Sequence, residues 1–342
     1  MTGNVLVVGA GTAGIETAGR LAKAGLSVIL VEKENDIGGH VKRWHHLFPD
    51  RRNSRQVMEY LRDLAAADNV TILTGNKVHR LEKKGKAFTI TTGSGKEITA
   101  DAVVMATGFD LFSAERKEEY GYGIYDNVIT SAELETMFEK GKITLTSGKK
   151  PSRIGMVHCV GSRDEKVGNI YCSKLCCVTA VKQAMEIKEH LKTARVFCFY
   201  MDIRMGGALY EELYKESQEK YGINYIRGKV SEVGASIDNS LIVKVEDTLV
   251  GRPLKMELDM LVLMVGMEMS KDGAEVADKS HLKMGENRFF APSDHHFGSN
   301  LGNIKGVFYA GTCAAPMNIT ETISHARGAV TEVIEYFNSM QK

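Results

Sequence analysis

Apolar and polar residues alternate along the first 32 positions in blocks that predict a strand, a helix and a second strand. Residues 5–8 form an apolar run of strand length, residues 15–24 have a helical pattern, and residues 27–31 form a second apolar run that ends at Glu32. Short, continuous apolar runs separated by a helix are typical of strands buried in a parallel sheet. The beginning of the chain therefore predicts an α/β fold.

The turn between the first strand and the helix contains a G-x-G-x-x-G motif, formed by Gly9, Gly11 and Gly14. The first glycine allows the tight turn, the second lets the backbone approach a pyrophosphate, and the third lets the helix pack close to the strand. Phosphates are stabilised by the amides and the positive end of the helix. Glu32 is placed to accept a hydrogen bond from the adenosine ribose. A glycine-rich loop without a ligand is the alternative, and the flanking elements at this spacing favour a dinucleotide site.

Three further segments that could contact a dinucleotide follow in order along the chain. A glycine pair with His40 comes soon after Glu32, a buried strand ends at residues 106–108, and another strand ends at residues 311–312. In this order the segments resemble the FAD-binding segments of the glutathione- and thioredoxin-reductase flavoproteins, over residues 1–115 and 285–342. The motif and the resemblance together imply the following FAD contacts: Gly9, Gly11, Thr12, Ala13, Gly14, Glu32, Lys33, Gly39, His40, Val78, Ala106, Thr107, Gly108, Gly311, Thr312, Ile319 and Thr320. Thr312 departs from the aspartate that many such proteins have there.

A long C-terminal helix is predicted from about Ile319. Asn318 is a good N-cap residue, and Glu321 completes a capping-box pair. The resemblance implies that this helix end points at the flavin, where its dipole would stabilise negative charge on the reduced ring. An ordinary capped surface helix is the alternative.

A second β-α-β unit is predicted within the intervening residues. Strands at residues 153–158 and 195–200 flank a helix at about residues 174–191, with Ser173 as a plausible N-cap. Of the glycines that a nicotinamide site would need after the first strand, only Gly161 is present. We therefore expect a discontinuous FAD domain at residues 1–119 and 285–342. Residues 120–284 are expected to form an inserted Rossmann-like domain without a nicotinamide fingerprint.

Four of the six cysteines lie within this inserted segment, spaced C-x12-C-x3-C-C: Cys159, Cys172, Cys176 and Cys177. A structural zinc usually takes C-x2–4-C pairs that converge on one ion, which adjacent cysteines fit poorly. Neighbouring thiolates can instead bind different irons of one cluster. No C-x-x-C redox dithiol is present among them. The pattern favours an iron–sulfur cluster, with zinc and with catalytic or structural thiols as alternatives.

At these cysteines the chain resembles the A subunit of the heterodisulfide reductases. Residues 202–204, 210–212 and 225–230 are also similar to that family. The resemblance implies a [4Fe–4S] cluster held by the four cysteines, within an electron-transfer protein that carries FAD. Methanogen members of this family have additional cluster-binding segments spaced C-x2-C-x2-C-x3-C, which this chain lacks.

The shorter form is most similar to the A subunit of the heterodisulfide-reductase-like complex of sulfur oxidisers. That implies partner subunits, a lipoate-binding protein reached through the complex, and a homodimer. The A subunit of a quinone-interacting membrane-bound oxidoreductase is one alternative, and a stand-alone NAD(P)H-dependent disulfide oxidoreductase is another. A zinc-stapled flavoprotein acting as an assembly module is the third. The missing second fingerprint counts against a nicotinamide-dependent enzyme.

Composition and charge narrow the possible binding partners and the possible location of the protein. A formal net charge of +1 over 342 residues gives no electrostatic support for nucleic-acid binding. The sequence contains no apolar run long enough for a transmembrane helix and begins without a basic leader, so a cytoplasmic location without membrane insertion is expected. Cys198 and Cys313 are interpreted as packing residues. The pairs at positions 45–46 and 295–296 lack acidic partners at a matching spacing, so we do not expect these histidines to bind metal.

Overall fold

The computed structural model describes residues 2–340, which form seven α-helices and twenty strands. The helices are α1 Thr12–Lys23, α2 Ser54–Ala65, α3 Ser131–Glu139, α4 Cys176–His190, α5 Tyr210–Glu219, α6 Lys271–Ser280 and α7 Ile319–Met340. The strands are β1 Asn4–Val8, β2 Ser27–Val31, β3 His46–Leu47, β4 Arg52–Asn53, β5 Val70–Leu73, β6 Val78–Lys84, β7 Ala87–Thr92, β8 Glu97–Ala100, β9 Ala102–Met105, β10 Phe109–Leu111, β11 Val128–Thr130, β12 Arg153–Val160, β13 Arg195–Tyr200, β14 Asn224–Arg227, β15 Val230–Ala235, β16 Leu241–Asp247, β17 Arg252–Leu258, β18 Met260–Val265, β19 Met267–Met269 and β20 Val307–Tyr309.

The chain divides into two compact units. The first comprises Met1–Lys42, Arg55–Asp110 and Glu268–Lys342, and the second comprises Arg43–Ser54 and Leu111–Met267. These limits differ from the expected ones at residues 119 and 284. Residues 43–54 join the second unit because they bond to its helices, as in the hydrogen bond from His45 N to Glu135 Oε2 at 2.9 Å.

Helix α6 explains the second shift of the boundary. It lies beyond residue 267 and belongs to the first unit, where Ser280 Oγ accepts a hydrogen bond from Leu81 N at 2.9 Å. Its Asp272 also pairs with Lys77 at 2.7 Å. These contacts attach the helix to β6 and the residues before it, so it is not part of the inserted unit.

The core of the first unit is a five-stranded parallel sheet in the order β20-β9-β1-β2-β5. Strand β1 lies in the middle, with Val7 opposite Leu30 of β2 and Val104 of β9. Its residues 5–8 are buried, as the continuous apolar run predicts. A three-stranded antiparallel sheet, β6-β7-β8, completes the unit. Because all five core strands are parallel, the turns after them lie along one edge of the sheet.

The second unit repeats this plan. Its parallel sheet has the order β11-β18-β12-β13-β14, and its antiparallel sheet has the order β15-β16-β17. The expected β-α-β unit is present as β12, α4 and β13. The register of β12 against β18 shifts between Val157 and Val160, which marks a bulge at the end of β12. The α/β fold with two dinucleotide-binding-type domains is therefore confirmed.

Two helix starts test the predicted caps. The capping box at α7 is present, since Asn318 N donates to Glu321 Oε2 at 3.0 Å and Glu321 N donates to Asn318 Oδ1 at 2.8 Å. The prediction of Ser173 as the N-cap of α4 was wrong, because the N-cap residue is Leu175, which makes no side-chain capping hydrogen bond. Ser173 Oγ instead accepts a hydrogen bond from Met267 N at 2.9 Å, so a distant amide has taken the hydroxyl.

Among the helices of residues 2–340, none has the length and apolar character that crossing a bilayer requires.

Candidate functional site

The first candidate site lies at the carboxyl edge of the first parallel sheet, in the turn between β1 and α1. Gly9 has a φ of 102°, and a Cβ there would lie too close to the carbonyl oxygen of Ala106. A Cβ on Gly14 would overlap the carbonyl oxygen of Gly9. A Cβ on Gly11 would come no closer than 3.9 Å to any neighbour, the nearest being Gly39 Cα. Close packing within the protein thus requires glycine at positions 9 and 14, whereas Gly11 leaves open space beside the first turn of the helix.

That open space has the properties of an anion site. Gly11 is the N-cap of α1 and offers no side-chain oxygen to the first-turn amides. Those amides have no acceptor within the helix, and the helix dipole is positive there. Gly39 approaches from the second glycine pair, where a Cβ would lie 3.0 Å from Gly11 Cα. The residues present therefore fit the pyrophosphate of a dinucleotide.

Glu32 directly follows β2 beside this turn and is buried. Its Oε2 accepts a hydrogen bond from Ala10 N at 2.7 Å, and its Oε1 accepts one from Glu34 N at 2.9 Å. Each carboxylate oxygen has two lone pairs, so both can still accept a ribose hydroxyl. The carboxylate is oriented by the backbone before any ligand is bound.

The turns after β9 and β20 pack on the start of α1. Gly311 has a φ of 73°, and a Cβ there would lie 2.5 Å from Ala13 Cβ. Gly108 has a φ of 69°, and a Cβ there would lie 3.8 Å from Thr312 Oγ1. Thr107 Oγ1 is buried, and within the described part of the chain it has no hydrogen-bond partner. A buried hydroxyl without a partner is costly, which fits a ligand that bonds to it.

The capping box of α7 satisfies the amides of Asn318 and Glu321. The amides of Ile319 and Thr320 belong to the first turn and have no acceptor within the helix. They can donate to a flavin carbonyl, with the helix dipole adding positive potential.

The remaining predicted FAD residues have other visible roles. His40 stacks on Phe109 with ring centroids 4.2 Å apart, and its Nε2 lies 2.9 Å from Phe109 O. The Lys33 side chain pairs with Asp272, and Val78 is buried at the start of β6. Their direct contact with FAD stays a prediction.

The second candidate site lies at the carboxyl edge of the second parallel sheet. Cys159 lies in the bulge near the end of β12, Cys172 lies in the following loop, and Cys176 and Cys177 begin α4. All four are free thiols. Three are buried and Cys172 is half-buried. The fold therefore brings all four cysteines to the turn where a pyrophosphate would bind in a nicotinamide domain.

Polar groups already surround these sulfurs. Lys174 N donates to Cys172 Sγ at 3.2 Å, and Ser162 Oγ lies 3.9 Å from Cys176 Sγ. Cys177 Sγ donates to Asp202 O at 3.7 Å. The amide that donates to Cys172 is a contact of the kind that tunes the metal in iron–sulfur sites, whereas the bond from Cys177 requires a thiol proton that a metal-bound thiolate lacks.

The backbone around the cysteines is held in uncommon conformations. Cys159, Arg163 and Lys174 have positive φ values of 59°, 54° and 64°. Positive φ costs a non-glycine residue roughly 1–2 kcal/mol, and such residues concentrate at functional sites. Gly161 has a φ of 74°, and a Cβ there would overlap the ring of Phe112. Contacts with the rest of the unit therefore hold the loops that carry the cysteines in these uncommon backbone conformations.

The thiols differ in acidity. The pKa of Cys159 falls to about 7, chiefly through a hydrogen bond with Cys176, with help from Arg163 and against the effect of burial. The same bond and burial raise the pKa of Cys176 well above its usual value. Burial raises the pKa of Cys177 to about 11. Metal ligands must be thiolates, so binding a cluster here would release protons.

His45 and His46, which have no acidic partner at a matching spacing in the sequence, meet acidic residues from distant positions in the fold. His45 Nδ1 lies 3.2 Å from Glu139 Oε2, and His46 Nδ1 lies 2.6 Å from Glu186 Oε1. His45, His46 and Glu186 place one ligand atom each within 4.8 Å of one another. However, the ammonium of Lys182 lies 3.1 Å from Glu186 Oε2 and already supplies a positive charge there. We therefore interpret the group as a buried ion network and not as a metal site.

Lys182 is the centre of this network and was also missed. It is buried on α4 and pairs with both Glu186 and Glu135. Glu135 Oε1 also accepts a hydrogen bond from Gln183 Nε2 at 2.6 Å. Burial raises the pKa of Glu186 to about 7, with Lys182 opposing the shift and Glu135 adding to it. A lysine and a glutamate four positions apart, with apolar residues on either side of them, were the signal available in the sequence.

Glu186→Gln is expected to change how stability depends on pH. Because its folded pKa lies above the usual value, the folded state binds the proton more tightly, and the free energy of unfolding falls as pH rises from about 4.5 to about 7. The variant should lack this fall, on the order of 2 kcal/mol. Chemical denaturation at pH 5, 6, 7 and 8 measures it.

Glu189→Gln is the matched control, on the same helix. Burial raises the pKa of Glu189, but the hydrogen bonds from Arg51 and Tyr221 outweigh it and lower the pKa. Its stabilising effect is therefore present above its unfolded pKa and lost as pH falls, with the opposite sign to Glu186. A Glu186→Gln profile parallel to that of the unmodified chain would contradict the interpretation.

Comparisons with known proteins agree with this geometry. Residues 3–140 match the pyridine nucleotide-disulphide oxidoreductase family. The chain is 40% identical over 243 residues to the A subunit of the H(2)/formate:CoB-CoM heterodisulfide,ferredoxin reductase of Methanococcus maripaludis, covering 69% of this chain and 37% of that protein. It is 30% identical over 415 residues to the iron-sulfur A subunit of the CoB--CoM heterodisulfide reductase of Methanocaldococcus jannaschii, covering 96% of this chain and 63% of that protein. The chain thus spans less than two thirds of the length of these relatives.

The fold is similar to that of a thioredoxin reductase from T. acidophilum, with a TM-score of 0.69, 20% identity and 99% of both chains covered. At this identity the likeness supports the fold alone. The chain has the two-domain α/β fold of the thioredoxin reductases, and its sequence is similar to those of heterodisulfide reductase A subunits.

Proposed function

We propose that the chain is an electron-transfer subunit that binds FAD in its first unit and a [4Fe–4S] cluster in its second. The observation that carries this proposal is the set of four cysteines at the carboxyl edge of the second sheet. Cys159 lies where the glycine turn of a nicotinamide domain would begin, Cys172 lies in the following loop, and Cys176 and Cys177 begin the next helix. A β-α-β unit built in this way favours a metal cluster over a pyridine nucleotide.

The residues of the first unit define how FAD would be held. Gly11 admits the pyrophosphate to the amides of α1, and Glu32 accepts the ribose hydroxyl. The first turn of α7, capped by Asn318 and Glu321, supplies amides and a positive dipole for the flavin ring. When bound, FAD supplies two-electron chemistry and the cluster supplies one-electron chemistry.

The residues of the second unit would hold and screen the cluster. The four cysteines supply its ligands, and burial of three of them limits the access of water. Lys174 N stabilises the sulfur of Cys172, the half-buried ligand. Because Cys172 is the most exposed of the four ligands, we expect electrons to enter or leave the cluster on its side.

The wider setting is part of the same proposal. Relatives are named as A subunits of heterodisulfide reductases, which supports partner subunits for this chain. Its cysteine pattern, C-x12-C-x3-C-C, resembles that of heterodisulfide reductase A subunits, and a form without C-x2-C-x2-C-x3-C segments resembles the A subunit of the short heterodisulfide-reductase-like complex. We place the chain in such a complex, with a role in cytoplasmic sulfur oxidation and with lipoate-bound sulfur reached through its partners. A homodimer within that complex is also proposed.

An anaerobic reductive titration tests the proposal. The purified chain should take up about three electron equivalents from dithionite, two at FAD and one at the cluster. Absorbance at the flavin and cluster bands, with electron paramagnetic resonance (EPR) of the same samples, follows the uptake. An uptake of two equivalents, or rapid bleaching of the flavin by stoichiometric NADH or NADPH, would instead support a nicotinamide-dependent disulfide oxidoreductase.

A further inference from the structure

Arg163 is a cationic residue held beside the cysteine site. It lies in the loop after β12, and its guanidinium donates to both carboxylate oxygens of Asp202, with Nη2 and Oδ2 3.3 Å apart. The backbone carbonyl oxygen of Asp202 in turn lies 3.7 Å from Cys177 Sγ, and the guanidinium interacts electrostatically with Cys159. Asp202 follows β13, so two neighbouring strands of the parallel sheet fix the position of this side chain.

The backbone at Arg163 is set independently of the side chain. Its φ of 54° lies in the left-handed region, and its amide donates to Tyr171 O at 2.9 Å. Glycine or asparagine would adopt this conformation at lower cost. An arginine here therefore accepts backbone strain, and its side-chain contacts supply the compensating interaction.

Two guanidinium groups share the carboxylate of Asp202. Asp202 also accepts a hydrogen bond from Arg204, with Nη2 and Oδ2 3.3 Å apart. One negative charge thus lies between two positive charges. Arg204 is more exposed than Arg163 and interacts electrostatically with Asp202 and with Cys172. Arg163 is the less exposed of the two cations, so its charge is less screened by solvent.

We propose that Arg163 raises the reduction potential of the cluster and that Asp202 positions Arg163 for this role. The proposal rests on the proposed function, since it requires a cluster at the four cysteines. Reduction adds one electron to the cluster and so one negative charge. A guanidinium held beside the ligating sulfurs stabilises the more negative state. Arg163 is thus a positioning and tuning residue and not a catalytic one.

The test compares midpoint potentials in redox titrations monitored by EPR. Arg163→Gln should lower the potential of the cluster, because the positive charge beside the sulfurs is lost. Arg163→Lys keeps the charge but loses the two-pronged geometry, so its potential should lie between those of Arg163→Gln and the unmodified chain. Arg195→Gln is the matched control, since Arg195 lies at the start of β13 with its guanidinium over Phe197. It should leave the potential unchanged.

Iron content, measured first, separates this inference from the proposed function. An unmodified chain that binds no iron overturns the proposed function, and the inference falls with it. A full complement of iron with the same cluster potential in Arg163→Gln and in the unmodified chain overturns the inference alone. The potential of the bound FAD is the internal reference, and an equal shift at both cofactors would also contradict a local role of Arg163.

Discussion

Replacing Cys176 with alanine is expected to abolish binding of the cluster while leaving the chain folded. Cys176 is buried at the first position of α4, and its sulfur lies 3.9 Å from Ser162 Oγ. Removing one of four ligands leaves an iron without its thiolate, whereas alanine is a good helix former. We expect iron to fall from about four atoms per chain to below about one.

Cys198→Ala is the matched control for this result. Cys198 is fully buried on β13 within the same hydrophobic cluster as Cys159 and Cys176. The substitution should cost about 1 kcal/mol for the lost buried group, with iron retained. Iron analysis and circular dichroism of both variants measure the difference. Equal iron in the two variants would show that the cysteine motif does not bind the metal.

Replacing Gly11 with alanine is expected to weaken FAD binding without unfolding the first unit. The added Cβ would meet nothing closer than 3.9 Å in the protein, so the apoprotein can accept it. An N-cap alanine in place of glycine costs up to about 1 kcal/mol. The methyl group would, however, occupy the space into which we place the pyrophosphate. We expect FAD affinity to fall by at least about tenfold, measured by fluorescence titration of the apoprotein.

Gly14→Ala separates ligand contact from packing. Its Cβ would overlap the carbonyl oxygen of Gly9, which is backbone and cannot swing away. We therefore expect it to lower both FAD affinity and the stability of the apoprotein, by about 1–3 kcal/mol for the latter. If Gly11→Ala bound FAD as tightly as the unmodified chain, the pyrophosphate could not lie against Gly11.

Local patterns in the sequence predicted the parts of the structure that depend on neighbouring residues. The strand at residues 4–8, the turn at Gly9 and the box formed by Asn318 and Glu321 all follow from short-range geometry. The clustering of the four cysteines was also predictable, because a strand end and the start of the next helix meet at the edge of a parallel sheet.

Contacts between distant residues were not predictable in this way. The partner of Ser173 Oγ is the amide of Met267, 94 positions away, which overrides the local preference for an N-cap. His46 meets Glu186 across 140 positions, and Lys182 meets Glu135 across 47. A single sequence gives the identity of such groups but not their pairing. The ion network and the bond between Arg163 and Asp202 therefore emerged only from the structure.

The central claim is that the four cysteines hold an iron–sulfur cluster. Iron and acid-labile sulfide, measured in the anaerobically purified chain alongside EPR after reduction, test it most directly. We expect about four irons and about four sulfides per chain. The reduced, unmodified chain should show the EPR signal of a reduced cluster, and Cys176→Ala should not. Zinc in place of iron, or a chain that binds FAD but neither metal after reconstitution, would contradict it.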